Sequence, residues 1–153
     1  MTSQKYWLLK SEPETYSIET LRQEGKTLWS GVRNYRARNY MRDEMQVGDL
    51  CLFYHSGKEK GVVGIARVAS LPKPDETALD SKSEYFDSKS NRKNPTWFLV
   101  AIEYVKTLRR MVSLAEIKND PHLHDMILLK LPRLSIQPVS QAHFAHIRTL
   151  GNR

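Results

Sequence analysis

Twelve residues from Trp29 to Tyr40, W-S-G-V-R-N-Y-R-A-R-N-Y, concentrate three arginines, two asparagines, two tyrosines and a tryptophan. Arg and Asn present planar hydrogen-bonding edges, and Trp and Tyr present flat π-faces. Such groups together can stack on a nucleobase, read its edge and hold the attached phosphates. Taken by itself, the window also fits an ordinary surface helix with half-buried tyrosines and solvated arginines.

Further polar and aromatic residues fall at strand ends or strand-to-helix junctions: Trp7, Lys10, Ser11, His55, Ser56, Trp97, Arg133 and Ser135. In a small barrel such positions can converge at one mouth. For each tryptophan a core anchor is the competing role, and for Trp97, mid-strand, it is the stronger one. For Lys10 and Arg133 the competing role is a plain surface charge, and for Asn34 a helix cap.

Other chemistries find less support. His55 and Ser56 are adjacent, but neighbours on a strand point to opposite faces, and no G-x-S-x-G elbow is present. His122-x-His124 lies beside Asp120 and Asp125 in a spacing that matches no standard metal-ligand set, so a solvated loop is favoured and no metal is expected. The chain carries neither a G-x-x-x-x-G-K-[ST] phosphate loop nor a G-x-G-x-x-G dinucleotide fingerprint. No cofactor is expected.

The 153 residues suit one domain spanning 1–153 with one core. With 40% hydrophobic and 27% charged residues the chain reads as globular. A net charge of +7 favours a polyanionic partner, most simply nucleic acid. The basic residues are scattered, which argues against a membrane surface. One cysteine, Cys51, rules out an intramolecular disulfide, and it sits in the apolar run L-C-L-F-Y as a buried small residue. With no signal-peptide core or apolar span, the expected location is cytoplasmic.

The elements that must position these residues can be read in order. Lys5–Lys10 reads as a strand ended by Ser11-Glu12-Pro13. Ser17 is the N-cap of a short helix to about Gln23, with Gly25 as its stop. Leu28–Val32 reads as extended, with Gly31 allowing close backbone approach. Asn34 caps a helix over Tyr35–Met45 whose apolar face is Ala37, Met41 and Met45. Asp49–His55 and Gly61–Leu71 form the strongest hairpin signal, with Gly64 marking a bulge or a close approach. Residues 72–95 read as a long polar loop holding the aromatic pair Tyr85-Phe86, with at most a helical turn near Glu76.

Thr96–Tyr104 is a strand, and Ser113 with Glu116 reads as a capping box. A strand is expected around Arg133–Ile136, at an edge because Pro132 and Pro138 flank it. Ser140 caps a last helix with Phe144, Ile147 and Leu150 inward. Five or so strands without a βαβ rhythm give an α+β fold, best satisfied by a small, mostly antiparallel β-barrel surrounded by short helices.

Five segments resemble the EVE domain family: Y-W-L-L-K-S-E-P from Tyr6, W-S-G-V-R-N-Y-R-A-R-N from Trp29, V-G-D-L-C-L-F-Y-H-S from Val47, G-V-V-G-I-A-R-V from Gly61 and L-P-R-L-S-I-Q-P-V-S from Leu131. They occur in the family's order, nearly end to end, and the chain looks like its compact bacterial-type form. The resemblance implies a PUA-like barrel and recognition of a modified base, with modified cytosines in DNA the favoured ligands. The base would be flipped into an aromatic-lined pocket. On this reading Trp7, Lys10, Ser11, Trp29, Val32, Asn34, Tyr35, His55, Ser56 and Ser135 are candidate ligand contacts. Arg33, Arg36, Arg38 and Arg133 would meet phosphates. RNA binding, or a nuclease or base hydrolase using the same pocket, stands as the alternative. Catalysis is the less favoured reading, no catalytic residue is assigned, and protein partners are unknown.

Overall fold

The computed structural model describes residues 4–153. A six-stranded curled sheet in the order β2-β7-β4-β3-β1-β8 carries the fold. Its strands are β1 (Tyr6–Ser11), β2 (Lys26–Leu28), β3 (Leu50–His55), β4 (Gly61–Val68), β7 (Ala101–Ser113) and β8 (Ile136–Val139). A separate two-stranded ribbon pairs β5 (Lys73–Pro74) with β6 (Phe98–Leu99). Only the β1–β3 pair is parallel among these ladders. The sheet is a half-barrel: β2 and β8 end it as edges instead of pairing to close a cylinder. No helix of the described residues is long and apolar enough to cross a membrane.

Both faces of the central strands are covered, which explains their continuous apolar runs. Trp7 and Leu9 of β1 and Cys51 and Phe53 of β3 point to one cluster, packed under α1 (Ile18–Glu24) and α2 (Tyr35–Asn39). Leu8, Leu52 and Tyr54 point to the other, covered by α3 (Leu114–Asn119), α4 (Ile127–Lys130) and α5 (Gln141–Gly151). Gly64 is required where α1 crosses β4: a Cβ there would lie 2.6 Å from Ile18 Cδ1 and 2.8 Å from the Lys106 carbonyl oxygen. The β3–β4 register shifts beside it, so bulge and close approach coincide.

The caps hold. Ser17 accepts from the Thr20 N–H, Asn34 from that of Ala37 and Ser140 from that of His143. The Ser113 box is half made: its hydroxyl accepts from the Glu116 N–H, but the Glu116 carboxylate turns to Arg110 at 2.8 and 2.9 Å. The helix expected over Tyr35–Met45 is α-helical only to Asn39, then widens into a π-turn over Tyr40–Glu44. That turn keeps Ala37, Met41 and Met45 buried together.

Several strand boundaries differ from expectation, and β4 ends at Val68 instead of Leu71. The last strand is Ile136–Val139, not Arg133–Ile136, and Pro138 sits within it because β8 is an edge. The strand expected from Thr96 breaks after Leu99 and resumes as the 13-residue β7, whose outer half is too polar and exposed to show a buried-strand pattern. The extended stretch at Leu28 leaves the sheet after that residue, although the Trp29 N–H still donates to the Val100 carbonyl at 2.9 Å.

Candidate functional site

A cavity of about 540 Å³ opens beside the end of β2, within the range of small-molecule sites. Trp29, Val32, Lys10, Ser11, Arg33 and Ser135 line it, together with Tyr16, Tyr85, Glu12 and Ser30. Its aromatic wall is built on the sheet. The half-buried Trp29 ring packs edge-on against Phe53 at 5.7 Å and against Tyr16 at 6.2 Å. Next in the chain, Gly31 takes φ +83°, and the Tyr85 ring lies over the place a side chain would fill.

A buried anion fixes this loop. Asp75, 2% exposed, accepts from the Gly31 N–H at 2.8 Å, from Arg33 at 3.1 Å and from the Thr77 N–H at 2.9 Å and hydroxyl at 2.6 Å. Burial works to raise its pKa, but these hydrogen bonds outweigh burial and hold it below the ordinary value. Arg33 also donates to the Tyr85 carbonyl at 2.6 Å, tying the long loop across the pocket. Its remaining bonds go to the Val32 carbonyl and the Thr77 hydroxyl. Arg33 is therefore corrected from a phosphate-facing cation to a clamp whose donors are spent inside the protein.

Around the mouth, the Lys10 ammonium donates to the Pro132 carbonyl and lies 5.6 Å from the Tyr54 ring centre. Burial, then Lys60, lowers its pKa. Ser11 Oγ donates to the Tyr16 carbonyl at 2.6 Å, leaving oxygen lone pairs free to accept. The Tyr16 hydroxyl donates to Glu24 at 2.6 Å, and burial with that carboxylate pushes its pKa to about 12. It stays a neutral phenol at any working pH.

Trp7 does not belong to this wall. It is 1% exposed, its indole N–H donates to Asp49 at 3.0 Å and its ring packs on Tyr40 at 5.3 Å. Position 7 faces the core side of a strand buried on both faces, so the tryptophan is a core anchor. His55 also stands back from the cavity lining: its Nε2 accepts the Ile18 N–H at 3.1 Å, capping α1, and its ring leans on Phe53. Burial lowers its pKa. That lone pair is engaged, so it is not available as a general base. The Ser56 N–H donates to the Ser11 carbonyl at 3.0 Å, and Ser56 is not part of the cavity lining.

Tyr35 is 62% exposed and stacks on Trp97 at 5.0 Å, with Arg38 4.9 Å above its ring. Arg38 also bonds the Thr96 carbonyl and the Asn39 side chain. Tyr35 thus lies outside the cavity lining, stacked on Trp97 and largely exposed. Trp97 itself is buried and donates to Asp87 at 2.7 Å.

A second hollow of about 460 Å³ is lined by Asn34, Arg36, Lys130 and Arg133 with Leu131, Pro132 and Leu134. It borders the first, because residues 32–34 and 134–135 run from one into the other. Arg36 and Arg133 are exposed there, so these two of the four expected phosphate contacts share one basic strip.

The EVE domain family model matches residues 5–150. The chain belongs to the EVE domain family. Thymocyte nuclear protein 1 of Gallus gallus is 39% identical over 95% of this chain and 68% of its own length. Among solved structures, a protein from Leishmania major superposes with a TM-score of 0.94 at 45% identity, covering 97% of this chain and 95% of that one. Human THYN1, solved in complex with 5-methylcytosine-containing DNA, superposes with a TM-score of 0.92 at 35% identity, covering 98% and 99%.

In this EVE domain Trp29 lines the cavity as expected, and Tyr16, Tyr85 and Glu12 join it as lining residues that the sequence did not mark. Tyr16 precedes the N-cap Ser17, and Tyr85 sits in a polar loop. The isolated aromatic pair there was the available signal, and its partner Gly31 lies 54 residues earlier.

Proposed function

We propose that this chain is a nucleic-acid-binding module that takes a modified base, a modified cytosine in DNA foremost, out of its strand and into the Trp29 cavity. One observation carries this reading: an aromatic-walled cavity of base-accepting size borders a strip of cations, Arg36, Lys130 and Arg133, that have no carboxylate partner among the described residues. The complex of human THYN1 with 5-methylcytosine-containing DNA supports it through shared family and fold.

The energetics suit the task. Turning a base out costs a few kcal/mol. Stacking on an aromatic face returns about 1–3 kcal/mol. Edge hydrogen bonds and phosphate contacts supply the rest. Glu12, at the mouth, can accept from the exocyclic amine of a cytosine, the pairing a carboxylate makes with that base. Ser135 offers a hydroxyl donor to the accepting part of the edge, Ser11 keeps lone pairs that can accept from the amine, and Val32 with Trp29 forms an apolar wall for an added methyl group. Tyr35, outside the cavity, offers its exposed ring to a flanking base.

A binding screen across modified cytosines and adenines in DNA and RNA tests the proposal. Tightest binding to one modified base, at every salt concentration, is expected. Equal affinity for all oligonucleotides, varying only with salt, would leave the phosphate term alone and end the base-reading claim.

A further inference from the structure

On the opposite face of the sheet, Asp120, His122 and His146 bring one ligand atom each to within 4.8 Å of one another. From this geometry we infer that the three form a binding site for a divalent transition-metal ion of the zinc class. The site is independent of the base pocket, since its supporting residues Leu123 and Ile147 belong to the other core cluster.

The donor set fits such an ion. Two imidazoles and one carboxylate suit zinc and its neighbours, whereas magnesium and calcium prefer oxygen alone. Tetrahedral zinc with bonds of 2.0–2.1 Å sets its ligand atoms roughly 3.3 Å apart. Asp120 Oδ1 already lies 3.2 Å from His122 Nδ1, and Oδ2 lies 2.6 Å from His146 Nε2. The two ring centres lie 5.0 Å apart, the planes tilted by 43°.

Both backbones that carry the ligands are held in place. Asp120 caps the 3₁₀ turn Pro121–Leu123 through the His122 N–H at 2.9 Å, and Leu123 is fully buried. His146 stands on α5 beside the fully buried Ile147. Little freedom is lost on binding, because the scaffold is set beforehand. His122 is 76% exposed, so the fourth position opens to water.

A carboxylate only accepts, so without an ion His122 Nδ1 and His146 Nε2 each carry a hydrogen towards Asp120. On binding, the ligating nitrogen of each ring gives up that hydrogen and presents a lone pair to the cation.

The local sequence pattern concealed the site. His124, two residues after His122, stays out of the cluster, and the third ligand comes from a helix 22 residues beyond.

The test is a zinc chloride titration of the full chain after chelator treatment, followed by calorimetry and by imidazole ¹⁵N–¹H spectra. One equivalent should bind. The ring signals of His122 and His146 should move while those of His124 stay. His122→Ala and His146→Ala should each weaken binding at least about tenfold, no less than losing an outer-shell partner of a metal site costs. His124→Ala should not weaken it. Absence of saturable binding would overturn the inference, as would binding that leaves the His122 and His146 signals unmoved. The spectra of the unmutated chain decide the matter even if a variant fails to fold.

Discussion

Tyr85 lies where Gly31 has no side chain: a Cβ at Gly31 would sit 2.8 Å from Tyr85 Cζ and 2.9 Å from both Cε atoms. Gly31 also takes a left-handed φ of +83° and gives its N–H to Asp75. Gly31→Ala therefore faces both backbone strain and a ring in the way. It should destabilise the fold by about 1–2 kcal/mol and push Tyr85 off the cavity. Ligand affinity should fall by more than the change at a remote glycine such as Gly48, which has open space around it. A thermal melt run beside a binding isotherm checks both effects.

Asp75 is the electrostatic keystone of the same loop. Asp75→Ala removes the acceptor of the Gly31 N–H and leaves the half-buried Arg33 without its anion. Breaking a buried pair from one side costs about 3–5 kcal/mol, and the exposure of Arg33 puts the expected loss near the lower end. Urea unfolding should show a lower midpoint with little change in slope. Asp75→Asn keeps an acceptor oxygen and should cost less.

The two tryptophans should separate cleanly on mutation. Trp7→Ala empties a core site and takes one donor from the buried Asp49, which keeps the Lys5 and Gln46 N–H groups, so a loss of about 3–5 kcal/mol is expected. Trp29→Ala should cost less stability, because the ring is only half-buried. It should weaken binding about 5- to 150-fold, the equivalent of about 1–3 kcal/mol of lost stacking. Denaturation curves and binding isotherms on the two variants check the contrast. A Trp29→Ala protein that binds normally would remove the stacking role.

His55 gives the fold a pH dependence of definite sign. Its Nε2 must be unprotonated to accept the Ile18 N–H, and burial lowers its pKa from the ordinary 6.5. The unfolded chain thus takes up a proton before the folded one does. The stabilisation is fully present above pH 6.5 and is lost as pH falls through the lowered folded value. His55→Gln, which keeps an acceptor but does not titrate, should flatten that slope. Unfolding free energies of both proteins from pH 7.5 down to 5 should converge or cross.

What sequence could reveal depended on how local each interaction is. The caps at Ser17, Asn34 and Ser140 and the β3–β4 hairpin depend on neighbours a few residues away, and they formed as expected. Trp29 and Trp7 look alike in sequence, yet one ends a strand and the other faces a core. Arg33 looked like a free cation because its anion lies 42 residues away. Arg36 and Arg133 meet only through the fold that joins residues 32–36 to residues 130–135. The half-barrel departs from a closed barrel for the same reason: whether two edge strands pair is a property of the whole sheet, not of either segment.

Indole N–H signals offer the most direct check on the base pocket. Trp7 donates to Asp49 in the core, so it serves as an internal reference, whereas Trp29 lines the cavity. On adding DNA that carries 5-methylcytosine, the Trp29 signal should move in step with occupancy and the Trp7 signal should stay. Unmodified DNA of the same sequence should move it far less. A Trp29 signal that stays put while Arg36 and Arg133 respond would contradict the account, because the DNA would then be held by its phosphates alone.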